Sequence, residues 1–195
     1  LGGFLDGLTL SQTGSYRAQG DRLFVLAEGA ELQLGRSQVA DDVRDAVAAV
    51  DGVTEVGALA STATTAGTGD GDLQDVVVHG YELGTEVLPA PPGDGEVVVD
   101  ERLAELAGLD RGDVVAVGPD ELELEVVGLV DDVSEGSGTL WVPLSTWREV
   151  DRAASPTGGL PEDVVEALVV VPADGADRAE VATAVEDAAT VAAAT

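Results

Sequence analysis

GEVVVDERLAELAGLDRGDVVAV (residues 95–117) contains a run of valines, a short segment rich in leucine and alanine, a glycine-containing turn and a second run of valines. Because β-branched residues favour strands, and because Asp100 can cap a short helix that Gly108 would end, the stretch predicts a strand, a helix and a second strand. The helix is expected to direct three leucines to one side: Leu103, Leu106 and Leu109. Elements this short and this closely joined are typical of a small antiparallel or barrel-like β unit.

A strand followed by an amphipathic helix is predicted near each end of the chain. The apolar runs at residues 23–29 and 167–171 are the strands, and each precedes a segment in which aliphatic residues recur at three- and four-residue steps. The two stripes are Val39, Val43, Ala46, Val47 and Val50, and then Val181, Val185, Ala188 and Val191. The predicted fold class is therefore α+β with two lobes: an α/β lobe of strand–helix repeats formed by both chain ends, and an inserted small β-rich lobe.

Segments rich in proline and glycine set the predicted domain boundaries. PAPPGDG (residues 89–95) disfavours both a helix and a central strand, and SPTGGLP (residues 155–161) forms a second break. The expected domains are a membrane-proximal lead-in at 1–20, an α/β lobe at 21–92 and 155–195, and the inserted β-rich lobe at 93–154.

Local signals predict caps and turns. Ser37 is the expected N-cap of the first helix, and Thr146 with Glu149 forms a capping-box pattern around Trp147. Residues 61–75 are small and polar, which predicts a loop. Arg111, Gly112 and Asp113 spell the adhesion tripeptide RGD, but a tight turn between helix and strand explains the glycine without a binding role.

The charge balance excludes several functions. The chain has 38 acidic residues against 9 basic ones, all arginine, for a formal net charge of −29. Such a field repels phosphate backbones, so nucleic acid is not an expected partner. Because cysteine is absent, disulfides and thiolate metal sites are excluded. The absence of lysine removes the P-loop lysine, so the chain is not itself an ATPase.

The same surplus of carboxylates predicts that stability depends on salt. Self-repulsion within the compact state weakens as cations screen it, and the screening length falls to about 3 Å at molar ionic strength. We expect the melting temperature to rise between low and roughly molar sodium chloride, measured by circular dichroism. A melting temperature that stays constant would contradict the predicted dependence on salt.

No catalytic residue and no cofactor site are predicted. The single histidine, His79, lies in a predicted strand, and its neighbours provide neither a nucleophile elbow nor metal-ligand spacing. Because aromatic residues make up only 3% of the chain, Trp141 and Trp147 are candidates for two roles, packing anchors or the lining of a ligand groove.

One weak metal candidate is present. Asp70, Asp72 and Asp75 lie in the glycine-rich stretch GDGDLQD, which could bind calcium, although it lacks the spacing and bidentate glutamate of an EF-hand. Asp131 and Asp132 are adjacent, and neighbouring residues of a strand point to opposite faces, so they are expected to be solvated surface.

Three segments together resemble a known family. VVVDERLAELAGLDRGDVVAV (residues 97–117), ELEVVGLVDDV (residues 123–133) and LWVPLSTW (residues 140–147) resemble the periplasmic core domain of MacB-type ABC transporter permeases of the FtsX-like family. The resemblance extends from about residue 23 to residue 195. It implies a β-rich subdomain inserted into an α/β subdomain that is built from both chain ends.

The resemblance also implies a function. Such a domain lies on the extracytoplasmic side of the cell membrane, between the first and second membrane helices of a permease, and has no catalytic residues or cofactors. It would transmit ATPase-driven conformational change to a substrate or partner outside the membrane. The implied partners are the transmembrane helices of the same permease, a separate cytoplasmic ATPase subunit, a second permease protomer, and an extracytoplasmic protein or lipid-linked substrate.

Two other classes stay open from the sequence: a soluble secreted acidic enzyme or calcium-binding module, and a passive adhesion or scaffold module. The chain begins at Leu1 without methionine, which suggests a piece of a longer protein. Apolar spans of about 20 residues on both sides, with a neighbouring ATPase gene, would favour the permease interpretation.

Overall fold

The computed structural model describes residues 19–31, 33–67, 73–86, 88–131 and 138–193. In this part of the chain the strands are β1 (Leu23–Val25), β2 (Val39–Ala40), β3 (Val53–Gly67), β4 (Leu73–Tyr81), β5 (Glu96–Asp100), β6 (Val114–Val117), β7 (Leu122–Val130), β8 (Gly138–Pro143), β9 (Val164–Val165) and β10 (Ala167–Pro172). The helices are α1 (Asp41–Ala48), α2 (Glu101–Ala107), α3 (Leu144–Ala154) and α4 (Arg178–Ala192), with a 3-10 turn at Leu34–Arg36. No helix within the described ranges is both long enough and apolar enough to cross a membrane.

The chain divides into two compact units. The first contains Asp21–Ala60 and the chain from Pro161 onward, and the second contains Ser61–Leu160. The predicted boundaries at 92/93 and 154/155 therefore need correction, because residues 61–92 belong with the second unit. The proline-rich segment is a connection inside that unit. The predicted lead-in lies outside the described residues except for its last two positions.

Both ends of the chain contribute to the sheet of the first unit. β1 pairs antiparallel with β10, with Leu23 opposite Val170, and β10 pairs antiparallel with β3, with Leu168 opposite Ala58. Helices α1 and α4 pack against each other. Their buried valines are Val43, Val47, Val181 and Val185. The α+β fold with a lobe built from both ends is confirmed.

The second unit is a closed six-stranded barrel. Its strands follow the order β3-β4-β8-β5-β7-β6, and β6 pairs back with β3. The β4–β8 and β5–β7 pairs are parallel, while β5–β8, β6–β7 and β3–β6 are antiparallel. Aliphatic side chains from these strands form its core: Val76, Val78, Val97, Val99, Val115, Leu124 and Leu140. Closure leaves the barrel without an edge along these six strands.

The prediction of a loop at residues 61–75 is wrong for residues 61–67 and 73–75, which lie in strands. β3 continues through Gly67, and β4 already begins at Leu73. Threonine accounts for the error, because Thr62, Thr64 and Thr65 are small and polar yet β-branched, and β-branched residues fit a strand.

Two predicted helix starts are also wrong. Helix α1 begins at Asp41 without a side-chain cap, and the Ser37 hydroxyl accepts a hydrogen bond from the Ala27 N–H at 2.8 Å instead. Helix α3 begins earlier than expected, with Pro143 at its N-cap, so Thr146 and Glu149 lie inside the helix.

The turn around α2 follows the prediction, with one exception. Asp100 caps the helix by accepting a hydrogen bond from the Arg102 N–H at 2.8 Å, and Gly108 ends it in the left-handed conformation. Leu103 is buried, whereas Leu106 is 72% exposed. Leu109, in the turn after the helix, is also buried. The three leucines therefore do not share one face, and Leu106 is the exception.

Gly112 has the positive φ that its turn requires, at 92°, and no atom lies within 4 Å of an added Cβ. Its N–H donates to the Val126 carbonyl at 2.8 Å, which fixes the turn on β7. Gly112→Val should lower the free energy of unfolding by about 1–2 kcal/mol through backbone strain alone. Gly112→Asn should cost less, since asparagine tolerates this conformation, and urea denaturation compares the two. Unchanged stability of the valine variant would contradict the assignment.

Candidate functional surface

A buried aromatic cluster joins β4 and β8. His79 lies opposite Trp141 in the parallel pair, and their rings stack with centroids 4.5 Å apart. Tyr81 meets the same indole edge-on, at 5.6 Å between centroids. Trp141 and Trp147 are both 0% exposed, which favours the packing role over the lining of a ligand groove.

The proline-rich connection after β4 packs on this cluster. The Tyr81 hydroxyl donates to the Pro89 carbonyl at 3.1 Å. Thr85 and Leu88 form two hydrogen bonds with each other, and Leu88 is 1% exposed. The connection is therefore a closed, hydrogen-bonded loop anchored on the tyrosine.

Burial raises the pKa of Tyr81 from 10.0 to about 12. The folded chain favours the neutral phenol, so this contribution to stability is complete below pH 10 and is lost as the pH rises toward 12. At about 1.4 kcal/mol for each pH unit, the loss is roughly 2–3 kcal/mol. Ultraviolet titration of tyrosinate in the Tyr16→Phe variant isolates Tyr81, because the chain has only these two tyrosines. A folded-state midpoint near pH 10 would refute the shift.

Helix α3 lies directly on the backbone of β4. A Cβ added at Gly80 would be 2.4 Å from the Cβ of Trp147, so the two elements approach more closely than any side chain permits. Asp151, on the same helix, accepts hydrogen bonds from the Thr62 hydroxyl at 2.9 Å and the Leu160 N–H at 2.8 Å. These contacts fix the helix on the second unit.

The acidic candidates do not form a metal site within the described residues. Asp75 is exposed on β4, while Asp70 and Asp72 lie outside the described ranges. No group of three potential ligands comes together in the part of the chain that is described. The calcium loop stays a prediction, and calorimetric titration with millimolar calcium would test it. Asp131 is exposed as expected, and Asp132 lies outside the described residues.

The RGD tripeptide lies in a hydrogen-bonded turn. The Asp113 carboxylate accepts from the Asp110 N–H at 2.8 Å, and the Asp113 N–H donates to the Asp110 carbonyl at 3.1 Å. The aspartate is thus part of its own turn, in agreement with a structural role for the tripeptide.

An exposed apolar surface on the outside of the barrel was not predicted from the sequence. Leu73 on β4 is 69% exposed and Val114 on β6 is 52% exposed. Gly67 of β3 lies between the two strands: a Cβ added there would be 3.5 Å from the Leu73 side chain and 4.0 Å from the Cβ of Ala116. These four residues, Gly67, Leu73, Val114 and Ala116, are called the apolar face below.

In the first unit, hydrogen bonds tie α4 to the start of β1. Asp177 caps the helix by accepting from the N–H groups of Ala179 and Glu180 at 2.9 and 3.2 Å. Arg178 donates to the carbonyl of Arg22 at 3.3 Å. Burial lowers the pKa of Arg22, and the nearby Glu55 carboxylate acts in the opposite direction. The segment that leads into β1 is thus linked directly to α4.

Several solved structures resemble this chain. The periplasmic region of MacB from Actinobacillus actinomycetemcomitans shares 16% identity over 80% of this chain and 75% of that one, with a TM-score of 0.57. The extracellular domain of the noncanonic ABC-type transporter YknZ from Gram-positive bacteria shares 20% identity over 83% and 87% of the two chains, with a TM-score of 0.54. A domain of a putative permease protein from Porphyromonas gingivalis shares 14% identity over 78% and 69%, with a TM-score of 0.51.

At these identities the structural likeness establishes a shared fold. Comparison with curated proteins gives no match. A family-wide sequence profile described as the MacB-like periplasmic core domain matches residues 1–188. Because that match covers nearly the whole chain, the chain belongs to the family of MacB-like periplasmic core domains.

Proposed function

We propose that this chain transmits ATP-driven conformational change from the membrane helices of a permease to a substrate or partner outside the membrane. The family places the chain as a periplasmic or extracellular domain of an ABC transporter permease, a class of transporters rather than enzymes. The single observation that carries the proposal is the direct pairing of β1 with β10, which joins the two ends of the chain in one unit.

Because the two ends of the chain are joined in the first unit, movement of the membrane helices would act on that unit. A membrane helix before β1 and another after α4 would both act on the first unit, where a three-stranded sheet and the α1–α4 contact resist deformation. The barrel is a continuous insertion, and strand β3 contributes residues to both units. We infer that motion of the first unit passes to the barrel through this shared strand and the return at Leu160.

These residues contain no lysine and so cannot form a phosphate-binding loop themselves. We propose that a separate cytoplasmic ATPase subunit supplies the energy. The transmembrane helices of the same permease, and a second protomer, complete the proposed assembly. The regulated or transported species would be an extracytoplasmic protein or a lipid-linked substrate.

Distance measurements by electron paramagnetic resonance on the whole permease with its ATPase test the proposal. Because this chain has no cysteine, cysteines introduced for spin labelling would be unique within it. Exposed helix positions suit the labels: Glu180 on α4 in the first unit and Glu149 on α3 in the second. The distance distribution between them should differ between the ATP-bound and ADP-bound states in a membrane.

Matched pairs inside each unit provide the control. Asp45 with Glu180 reports on the first unit, and Glu101 with Glu149 reports on the second. Both internal distributions should be the same in the two nucleotide states. If the distribution between the units is also unchanged, the chain does not transmit the cycle and the proposal is wrong.

A further inference from the structure

We propose that the apolar face docks a basic segment of an extracytoplasmic protein, which inserts an apolar side chain between Leu73 and Val114. The inference rests on the proposed function, because it assigns a partner surface to a domain that acts outside the membrane. It concerns the second unit alone.

Exposed large apolar side chains are concentrated on the apolar face. The large apolar side chains that are exposed in the described chain are Leu73, Leu106 and Val114, and two of them lie on the apolar face. The alternation on β6 explains the orientation: Val115 and Val117 are buried, so Val114 and Ala116 point out of the barrel. Gly67 and Ala116 lie between Leu73 and Val114, so the four residues form one apolar surface across three strands. A continuous exposed apolar surface marks an interaction site, whereas single exposed apolar residues do not.

The backbone forms a notch in the surface. Gly67 pairs with Ala116, and the direction of its missing side chain is flanked by Leu73 and Ala116. A side chain from a partner can therefore contact the β3 backbone between two apolar neighbours. A Cβ added at Gly67 would be in ordinary van der Waals contact with its nearest neighbour, Cδ2 of Leu73, at 3.5 Å. A small residue could therefore replace the glycine.

Carboxylates border the apolar face on two sides. Glu123 and Glu125 on β7 lie opposite Ala116 and Val114, and both are exposed. Asp75 is exposed on β4, two residues after Leu73. None of the three forms an ion pair among the described residues. The face therefore has an apolar centre and an acidic border.

Charge complementarity favours a basic partner for the apolar face. The barrel portions of β3, β4, β6 and β7 contain no arginine, so nothing on these strands neutralises the border. A second copy of the chain would bring the same acidic border and a formal net charge of −29, and an anionic membrane would also be repelled. A basic segment with leucine-like side chains matches both the border and the centre.

Calorimetry on the whole chain, with acetylated synthetic peptides as probes, tests the docking. The peptide KLKLKLK should bind saturably, whereas KSKSKSK and ELELELE should bind at least about tenfold more weakly, a difference of about 1.4 kcal/mol. Binding of KLKLKLK should weaken as sodium chloride is raised. Equal binding of KSKSKSK would show attraction to charge alone and would overturn the proposal.

Variants locate the site. Leu73→Ser combined with Val114→Ser should reduce KLKLKLK affinity about tenfold or more, and Glu123→Gln with Glu125→Gln should reduce its salt dependence. Leu106→Ser is the matched control, because Leu106 is equally exposed on α2, which packs on β5, β7 and β8, and binding should be unchanged. Circular dichroism melts verify that each variant is folded.

Two outcomes refute the proposal. If the serine double variant binds as the wild type does, the apolar face is not the site. If instead the wild type dimerises in the ultracentrifuge and the serine variant does not, while no peptide binds, the occupant is a second copy of the chain. Failure of docking leaves the nucleotide-dependent distance between Glu149 and Glu180 unaffected, so the two proposals can fail separately.

Discussion

Replacing Gly80 with valine is expected to destabilise the barrel strongly. Any Cβ at this position would overlap the Cβ and Cγ of Trp147, at 2.4 and 2.6 Å. The indole is fully buried and the helix that carries it is bound through Asp151, so neither partner can move aside. We expect a loss of about 3 kcal/mol for alanine and more than about 4 kcal/mol for valine.

Urea denaturation followed by tryptophan fluorescence measures this loss selectively, because both tryptophans of the chain lie in the second unit. Gly67→Ala is the matched control: it is also a strand glycine, yet its nearest neighbour would be 3.5 Å away, and its stability should change little. Shortening Trp147 to alanine should not rescue Gly80→Ala, since the overlapping Cβ would remain. Rescue, or a normally stable valine variant, would contradict the close approach.

The spacing of apolar residues, together with the residues that form caps and turns, predicted most of the fold. The valine runs, the Asp100 cap and the Gly108 end of α2 are all fixed by neighbours in sequence, and each is confirmed. The strand followed by a helix near each end also predicted that both ends of the chain build one lobe. By contrast, Thr62, Thr64 and Thr65 extend β3 because β4 and β6 pair with it, and those pairings join residues distant in sequence.

The apolar face could not be predicted for a related reason. In VVAV (residues 114–117) every residue is apolar, so the sequence does not show which side faces the core. The side is set by the register of β6 with β7 and with β3, which places Val115 inside and Val114 outside. From the sequence, Gly67 is also expected in a loop. Only the structure shows that it lies in a strand, between Leu73 and Ala116.

Replacing Gly52 with alanine is expected to destabilise the first unit by about 2–4 kcal/mol, the sum of two effects. Gly52 has a φ of 86°, which strains any L-residue, and an added Cβ would lie 2.9 Å from Cγ2 of Val181 on α4. Its carbonyl also accepts a hydrogen bond from the Ala173 N–H at 2.7 Å. The turn before β3 is thus in contact with the last helix of the chain.

A double-mutant cycle separates strain from contact. Gly29→Ala, in the same unit, has a φ of 76° with no neighbour within 4 Å and should show the strain alone, about 1–2 kcal/mol. Val181→Ala removes the atom that Gly52→Ala meets, so the double variant should be more stable than the sum of the single effects by about 1 kcal/mol or more. Strict additivity, measured by circular dichroism in urea, would mean that α4 does not lie on this turn. One of the contacts that join the two ends of the chain, in the unit through which displacement from the membrane is proposed to act, would then be absent.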